Sequence, residues 1–261
     1  MLTKNERNSI KALRSKDSRL QQNQMVVEGF KSILELLKSR IVVERIYITT
    51  GIEDTSILDE IKSLAFSSDI LVCEVSKKDM DIMSSMKSAP GILAVGELMS
   101  TPVVDIINRL KKPDPNCTAC IMILDDLVDP GNVGTLIRTA DWFGFAGVIC
   151  SSRTADMWNP KSIQASMGSV FRIPICVASP IDVIENHDLK AAALDSGGEN
   201  LYKDELFPDA IIIGSESHGI TPELSNVCTK TWSIPGKGNA ESLNAAVAGA
   251  IVSAELARRS C

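Results

Sequence analysis

The chain has 261 residues, 44% of them hydrophobic and 23% charged, with a net charge of −6; that is enough apolar material for one large core or two modest ones, and it excludes a chain disordered throughout. No run approaches the roughly eighteen apolar residues that span a bilayer, and the first twenty residues lack the apolar stretch of a secretory signal, so a cytoplasmic protein without a membrane partner is expected. The seven cysteines are odd in number and mostly embedded in apolar segments such as AGVIC and IPICV, which suits reduced thiols better than a disulfide framework.

The average charge hides an asymmetry. Residues 1–40 carry nine Lys/Arg against four Asp/Glu, whereas residues 41–261 carry eighteen against twenty-nine. Lys4, Arg7, Lys11 and Arg14 recur at spacings of three and four, so one helix would place them on one face, with Ile10, Leu13 and Leu20 on another. Such a face suits phosphate; it equally suits a solvated surface helix docked by its small apolar stripe. VVEGFKSILELLKS then keeps helical period. VVERIYIT, DILVCEVS and GILAVGEL are short, β-branched strands separated by charged helix-like or turn-like segments, so residues 1–100 read as a small α/β domain. Residues 101–116, TPVVDIINRLKKPDPN, hold a short amphipathic piece and two prolines, and read as a linker.

Residues 117–261 alternate apolar strands with helices: CIMILDDL, TLIRTADWFG, GVICS, PKSIQASMGS, RIPICVA, KAAALDS, AIIIGSE, KTWSIP and the closing AESLNAAVAGAIVSAELARR. Strands apolar throughout predict a parallel sheet covered by helices on both faces. In the closing helix Leu243, Val247, Ile251 and Ala254 share a face. Ala245, Gly249 and Ser253 share another, where small residues admit a close neighbour from a second copy or from the same chain.

Ligands of open parallel sheets bind beyond the carboxyl ends of the strands. Three such turns stand out: DDLVDPGNVGTLIRTADWFGF, with Asn132 and Arg138; IIIGSESHGI, with Gly214, Glu216 and Gly219; and SIPGKGNAESLNAAVAGA, leading into a helix opened by Glu241, Ser242 and Asn244. Taken singly, each is an ordinary cap or turn. No dinucleotide or P-loop glycine fingerprint is present. The histidines, His187 and His218, support neither a triad nor a metal site, and the lone C-x-x-C at Cys117 and Cys120 lacks a second ligand pair, so no metal is expected.

The order and spacing of the three turns resemble the SpoU (TrmH) class of SPOUT RNA 2′-O-ribose methyltransferases, whose motifs are matched by N-x-G-x-x-x-R from Asn132 to Arg138, by IIIGSESHGI, and by IP-x-x-G-x-x-ESLN from Ile234 to Asn244. SMGSVFRIP is similar to that family too. VVEG and APGILAV resemble the amino-terminal substrate-binding domain, a small ribosomal-protein-like α/β fold, that many members carry. Gly236 and Lys237 depart from the family, which often has Met after the third motif's proline.

The resemblance implies a parallel α/β sheet with a carboxyl-terminal deep trefoil knot, a homodimer, and S-adenosylmethionine held by Gly214, Ile234 and Leu243. It places the catalytic arginine at Arg138 and the other functional polar residues at Asn132, Glu216, Ser242 and Asn244. The implied reaction is attack of a ribose 2′-hydroxyl on a sulfonium methyl, during which the hydroxyl sheds a proton. A guanidinium, protonated up to about pH 12, is a poor base, so Arg138 reads as stabilising the developing alkoxide. The RNA expected is ribosomal rather than transfer RNA, gripped by Lys4, Arg7, Lys11 and Arg14 and by Arg172, whose bland reading is a surface ion pair. Two alternatives are a transfer-RNA methyltransferase and a non-enzymatic RNA-binding or ribosome-assembly protein on the same fold.

Overall fold

The computed structural model describes residues 2–53, 55–113, 117–215 and 218–260. In chain order its first elements are α1 (Lys4–Ala12), α2 (Lys16–Gln22), β1 (Gln24–Glu28), α3 (Phe30–Leu37), β2 (Val43–Thr49), α4 (Ser56–Ser67), β3 (Leu71–Val75), α5 (Lys77–Met83), β4 (Ile92–Glu97) and α6 (Val103–Lys111). They are followed by β5 (Thr118–Leu124), α7 (Pro130–Trp142), β6 (Phe145–Cys150), α8 (Pro160–Ser166), β7 (Ile175–Val177), α9 (Pro180–His187), β8 (Ala191–Asn200), β9 (Ala210–Ile213), α10 (Pro222–Asn226), β10 (Lys230–Ser233) and α11 (Ala245–Ser260). These form two units, one of Met1–Met99 with Asp156–Phe171, the other of Ser100–Ala155 with Arg172–Cys261.

The first unit is built on a four-stranded sheet ordered β1-β4-β2-β3, antiparallel except for the parallel pair β2 and β3. Ile10, Leu13, Val26, Tyr47, Val75, Met80, Met83, Leu93 and Val95 close its core. The predicted basic helix is interrupted: α1 ends at Ala12, and Ser15 starts α2 by accepting a hydrogen bond from the Ser18 backbone. Serine at such a position satisfies an orphan donor and so favours a new helix over continuation. Arg14 therefore leaves the Lys4 face, and Leu20 is 61% exposed rather than part of the apolar stripe. The buried residue of α2 is Arg19, 1% exposed. Its Nε lies 2.9 Å from Asp156, and it donates to the carbonyls of Leu13 and Arg14 at 2.8 and 3.0 Å. A buried guanidinium is tolerable only when its charge and donors are met in this way.

The second unit carries a six-stranded sheet ordered β10-β8-β9-β5-β6-β7, and every pairing in it is parallel. β5, β6 and β9 are buried almost throughout, as expected of a sheet covered on both faces. One face packs against Ile106, Ile107, Leu110, Val183, Ile184 and Leu224. Here the linker-like stretch proves structural: its amphipathic piece is α6, buried through Ile106, Ile107 and Leu110. On α11, Ala245, Gly249 and Ser253 are buried within the chain. A Cβ on Gly249 would collide with Leu136 of α7 and lie 2.6 Å from Ile213 Cδ1, so the small-residue face serves internal helix packing.

Candidate active site

The first turn follows β5. Asp129 caps α7, accepting from the Gly131 backbone at 3.3 Å, and Pro130 occupies the first helical turn, where a missing N–H costs nothing. This sets Asn132 in the opening turn of α7, and its Oδ1 accepts a hydrogen bond of 3.1 Å from Asn244 Nδ2. Asn244 also caps α11, its Oδ1 accepting from the backbones of Ala246 and Val247 at 3.0 and 3.3 Å. The closing helix thus starts at Ala245. Glu241, Ser242 and Leu243 precede it in exposed chain without regular structure, and Leu243 does not continue the Val247 face. Arg138 is exposed on α7 and has no hydrogen-bond or ion-pair partner among the described residues.

The second turn follows β9, where Ser215 and Gly219 exchange backbone hydrogen bonds of 3.0 and 2.9 Å. A Cβ on Gly214 would lie 2.5 Å from the Gly219 carbonyl carbon and 2.8 Å from Ile220 Cγ1. Glycine is therefore required by the chain folding back on itself, a reason distinct from the close ligand approach that its motif suggests. Glu216 lies outside the described residues. The third turn leaves β10 at Ile234, which is half-buried; no hydrogen bond joins residues 234–243 to any other described residue. A ten-residue backbone without internal partners can present its polar groups to a ligand.

Two features of this end of the sheet carry no motif. Asp125, after β5, is 4% exposed with Oδ2 unpartnered; burial, and secondarily the Asp126 charge, push its carboxyl above the usual range. Asp126 holds φ +55, bonds to Ser151 and pairs with Arg153. The second feature is an excursion of β8 at 194–198. Its sequence trace is LDSGG, where two glycines follow a strand.

The cations assigned to RNA divide. Lys4 and Lys11 are exposed on α1. Arg7 pairs with Asp79 at 2.5 Å, and Arg14 donates to the carbonyls of Ser84 and Ile82, so both fasten α1 and its following turn to α5 and the segment after it. Arg172 donates through Nε and a terminal nitrogen to Asp141 at 3.1 and 2.8 Å, the surface ion pair of its bland reading. Among the described residues the cysteines form no disulfide, and burial raises the thiols of Cys176 and Cys228 to about 11, which disfavours their reactive thiolate forms at neutral pH.

Comparison with known proteins bears on this geometry. The SpoU rRNA methylase family model matches residues 119–254, and the MRM3-like substrate-binding domain matches residues 5–94. The chain belongs to the SpoU rRNA methylase family. It is an RNA methyltransferase of the SpoU/TrmH type, as the three ordered turns imply. A tRNA/rRNA methyltransferase of Mycobacterium avium, itself uncharacterised, is 30% identical over 240 residues, covering 89% of this chain and 77% of the relative. Among solved structures, a protein of Porphyromonas gingivalis assigned to the TrmH family is similar at a TM-score of 0.82 and 30% identity, over 99% of both chains. The S-adenosylmethionine-bound rRNA methyltransferase of Sinorhizobium meliloti is similar at a TM-score of 0.82 and 26% identity, over 99% of this chain and 96% of that one.

Proposed function

We propose that this SpoU methyltransferase uses S-adenosylmethionine to methylate a ribose 2′-hydroxyl, with ribosomal RNA as substrate, and that it works in the cytoplasm as a homodimer. The observation that carries the reading is the Asn132–Asn244 hydrogen bond, which brings the first and third turns together at the carboxyl ends of the strands. The unpaired backbone of 234–243 fits an adenosine recognised by main-chain groups, with Ile234 and Leu243 at its ends and Gly214 holding the second turn closed. When bound, the cofactor supplies an electrophilic methyl group.

The remaining chemistry falls to side chains. Arg138, an exposed cation without an internal partner among the described residues, would stabilise the oxyanion that forms as the 2′-hydroxyl loses its proton to a phosphate oxygen or water. Asn132 and Asn244 would fix the two turns relative to each other, Ser242 would orient by hydrogen bonding, and Glu216 would hold the second turn. We propose that the carboxyl-terminal segment is threaded as a trefoil knot, which would bring the second and third turns together. The first unit, residues 1–99 with 156–171, would bind RNA, and the second, residues 100–155 with 172–261, would catalyse.

The dimer reading rests on a groove of about 540 Å³ lined by Asn132 and Thr135 of α7 and by Val247, Ala250, Ile251 and Ala254 of α11. Val247 is 48% exposed there, an apolar face suited to a second copy. Among the described residues no helix is long and apolar enough to cross a membrane. Ribosomal RNA is favoured by the family model and by the S. meliloti structure, while the mycobacterial relative leaves transfer RNA as the second reading.

The test is incubation of ribosomal and transfer RNAs with labelled methyl donor, followed by mapping of the modified position. Label on a base rather than on a 2′-oxygen would overturn the reading. Arg138→Ala should slow transfer about a hundred- to a thousandfold while cofactor affinity is retained.

A further inference from the structure

β8 does not end at the serine of KAAALDS. Ala193 pairs with Thr231, yet the next pair is Glu199 with Trp232, so residues 194–198 stand out between two consecutive residues of β10. Gly198 lets the strand return: a Cβ there would lie 2.7 Å from the carbonyl group of Thr231. Inside the excursion, Asp195 Oδ1 accepts a hydrogen bond of 2.8 Å from the Gly197 backbone, which fixes the carboxylate. Oδ2 is thereby turned onto the second turn, 3.3 Å from where a Cβ on Gly219 would be. Gly219 has φ +66, so the position disfavours a side chain on two counts. Asp195 is exposed and has no cationic partner among the described residues.

We infer that Asp195 binds the positively charged end of the methyl donor. The inference rests on the S-adenosylmethionine reading above and adds to it a residue outside the three turns. The donor carries two positive centres, sulfonium and ammonium, against one carboxylate, whereas its nucleoside is neutral. Backbone groups of the third turn recognise the nucleoside without sensing that charge. A carboxylate oriented by its own loop, lying against the second turn just past Ala193, where β8 leaves its pairing with β9, supplies the missing complement. With one oxygen committed to Gly197, the other is available without rearrangement. The contact is solvent-exposed, so its strength is modest and depends on salt.

The experiment is calorimetric titration of the full chain and of Asp195→Asn with S-adenosylmethionine and with methylthioadenosine, the same nucleoside without the charged amino-acid end. Asparagine keeps the Gly197 hydrogen bond and removes only the charge; Asp195→Ser, which also preserves a local acceptor, replaces it if the first variant melts early. The expected result is an S-adenosylmethionine Kd raised about fivefold at low salt, with methylthioadenosine unchanged and the difference shrinking as salt increases. Unchanged S-adenosylmethionine affinity, or equal weakening of both compounds, overturns the role of Asp195 while leaving the cofactor reading standing. Failure of the wild-type chain to bind either compound overturns the cofactor reading and this one with it.

Discussion

The helical start of the chain and the turn that ends at Asn244 use their polar groups in opposite ways. Between Thr3 and Arg19 the arginines are spent internally: Thr3 and Glu6 cap one another, Glu6 also receives Arg45, Arg7 meets Asp79, Arg14 meets two carbonyls, and Arg19 meets two carbonyls and Asp156, while the lysines stay exposed. Between 234 and 243 no hydrogen bond is made to any described residue. Charge density at the start of the chain suggests binding, but its arginines Arg7, Arg14 and Arg19 maintain the fold. The third turn, whose Lys237 and Glu241 leave it without net charge, is where unspent capacity lies.

The sharpest way to break this contrast is at its most saturated point. Arg19→Met should cost about 3–5 kcal/mol, because Asp156 and two carbonyls lose their partner in a buried setting, and chemical denaturation will measure it. A loss under 1 kcal/mol would show that Arg19 is not a structural cation. Gly214→Ala tests the other region. Its methyl group meets backbone rather than a flexible side chain, so the second turn must open, costing about 2 kcal/mol. Cofactor titration should register reduced affinity while melting of the first unit is unaffected.

A third prediction concerns acid. Glu255 accepts from Arg258 and Arg259, and those bonds hold its carboxyl down at about 2. A depressed carboxylate contributes stability above its unfolded value near 4.5, and the contribution is lost as pH falls from there toward 2. With Arg258 71% exposed, its worth is discounted to about 2 kcal/mol. Glu255→Gln should therefore lower stability at pH 7 and flatten its acid dependence, as denaturation at several pH values will show. Smallest is the effect of the exposed lysines. Lys4→Ala with Lys11→Ala should weaken RNA binding a few-fold and reduce the slope of log affinity against log salt by roughly 0.7 per lost contact, with no change in melting. Arg7→Ala should instead lower melting with little change in that slope; the reverse pattern would return Arg7 to the RNA surface.

The sequence carried the architecture where its period was unambiguous. CIMILDDL, GVICS and AIIIGSE are apolar on both faces, and they occupy the middle of the parallel sheet. Three separated turns could be matched to a family because glycine, asparagine and proline leave a fixed spacing even where they lack regular structure. What escaped depends on partners distant in sequence. A four-residue charge repeat does not reveal that Ser15 divides the helix, or that Arg19 finds Asp156. The amphipathic piece beside Pro113 looks like a tether until Ile106 and Ile107 have β5 and β6 to cover. LDSGG reads as the end of a strand, since only the β10 register exposes it as an excursion that returns.

The assignment of Asp156–Phe171 to the first unit has a consequence for how the protein is made. While the amino-terminal hundred residues leave the ribosome, the carboxylate that neutralises Arg19 and the helix beginning at Pro160 have yet to be translated. That lobe finishes folding only after residues 100–155 of its successor have been synthesised, so a fragment cut at the apparent tether would be an unfinished product rather than a free-standing module.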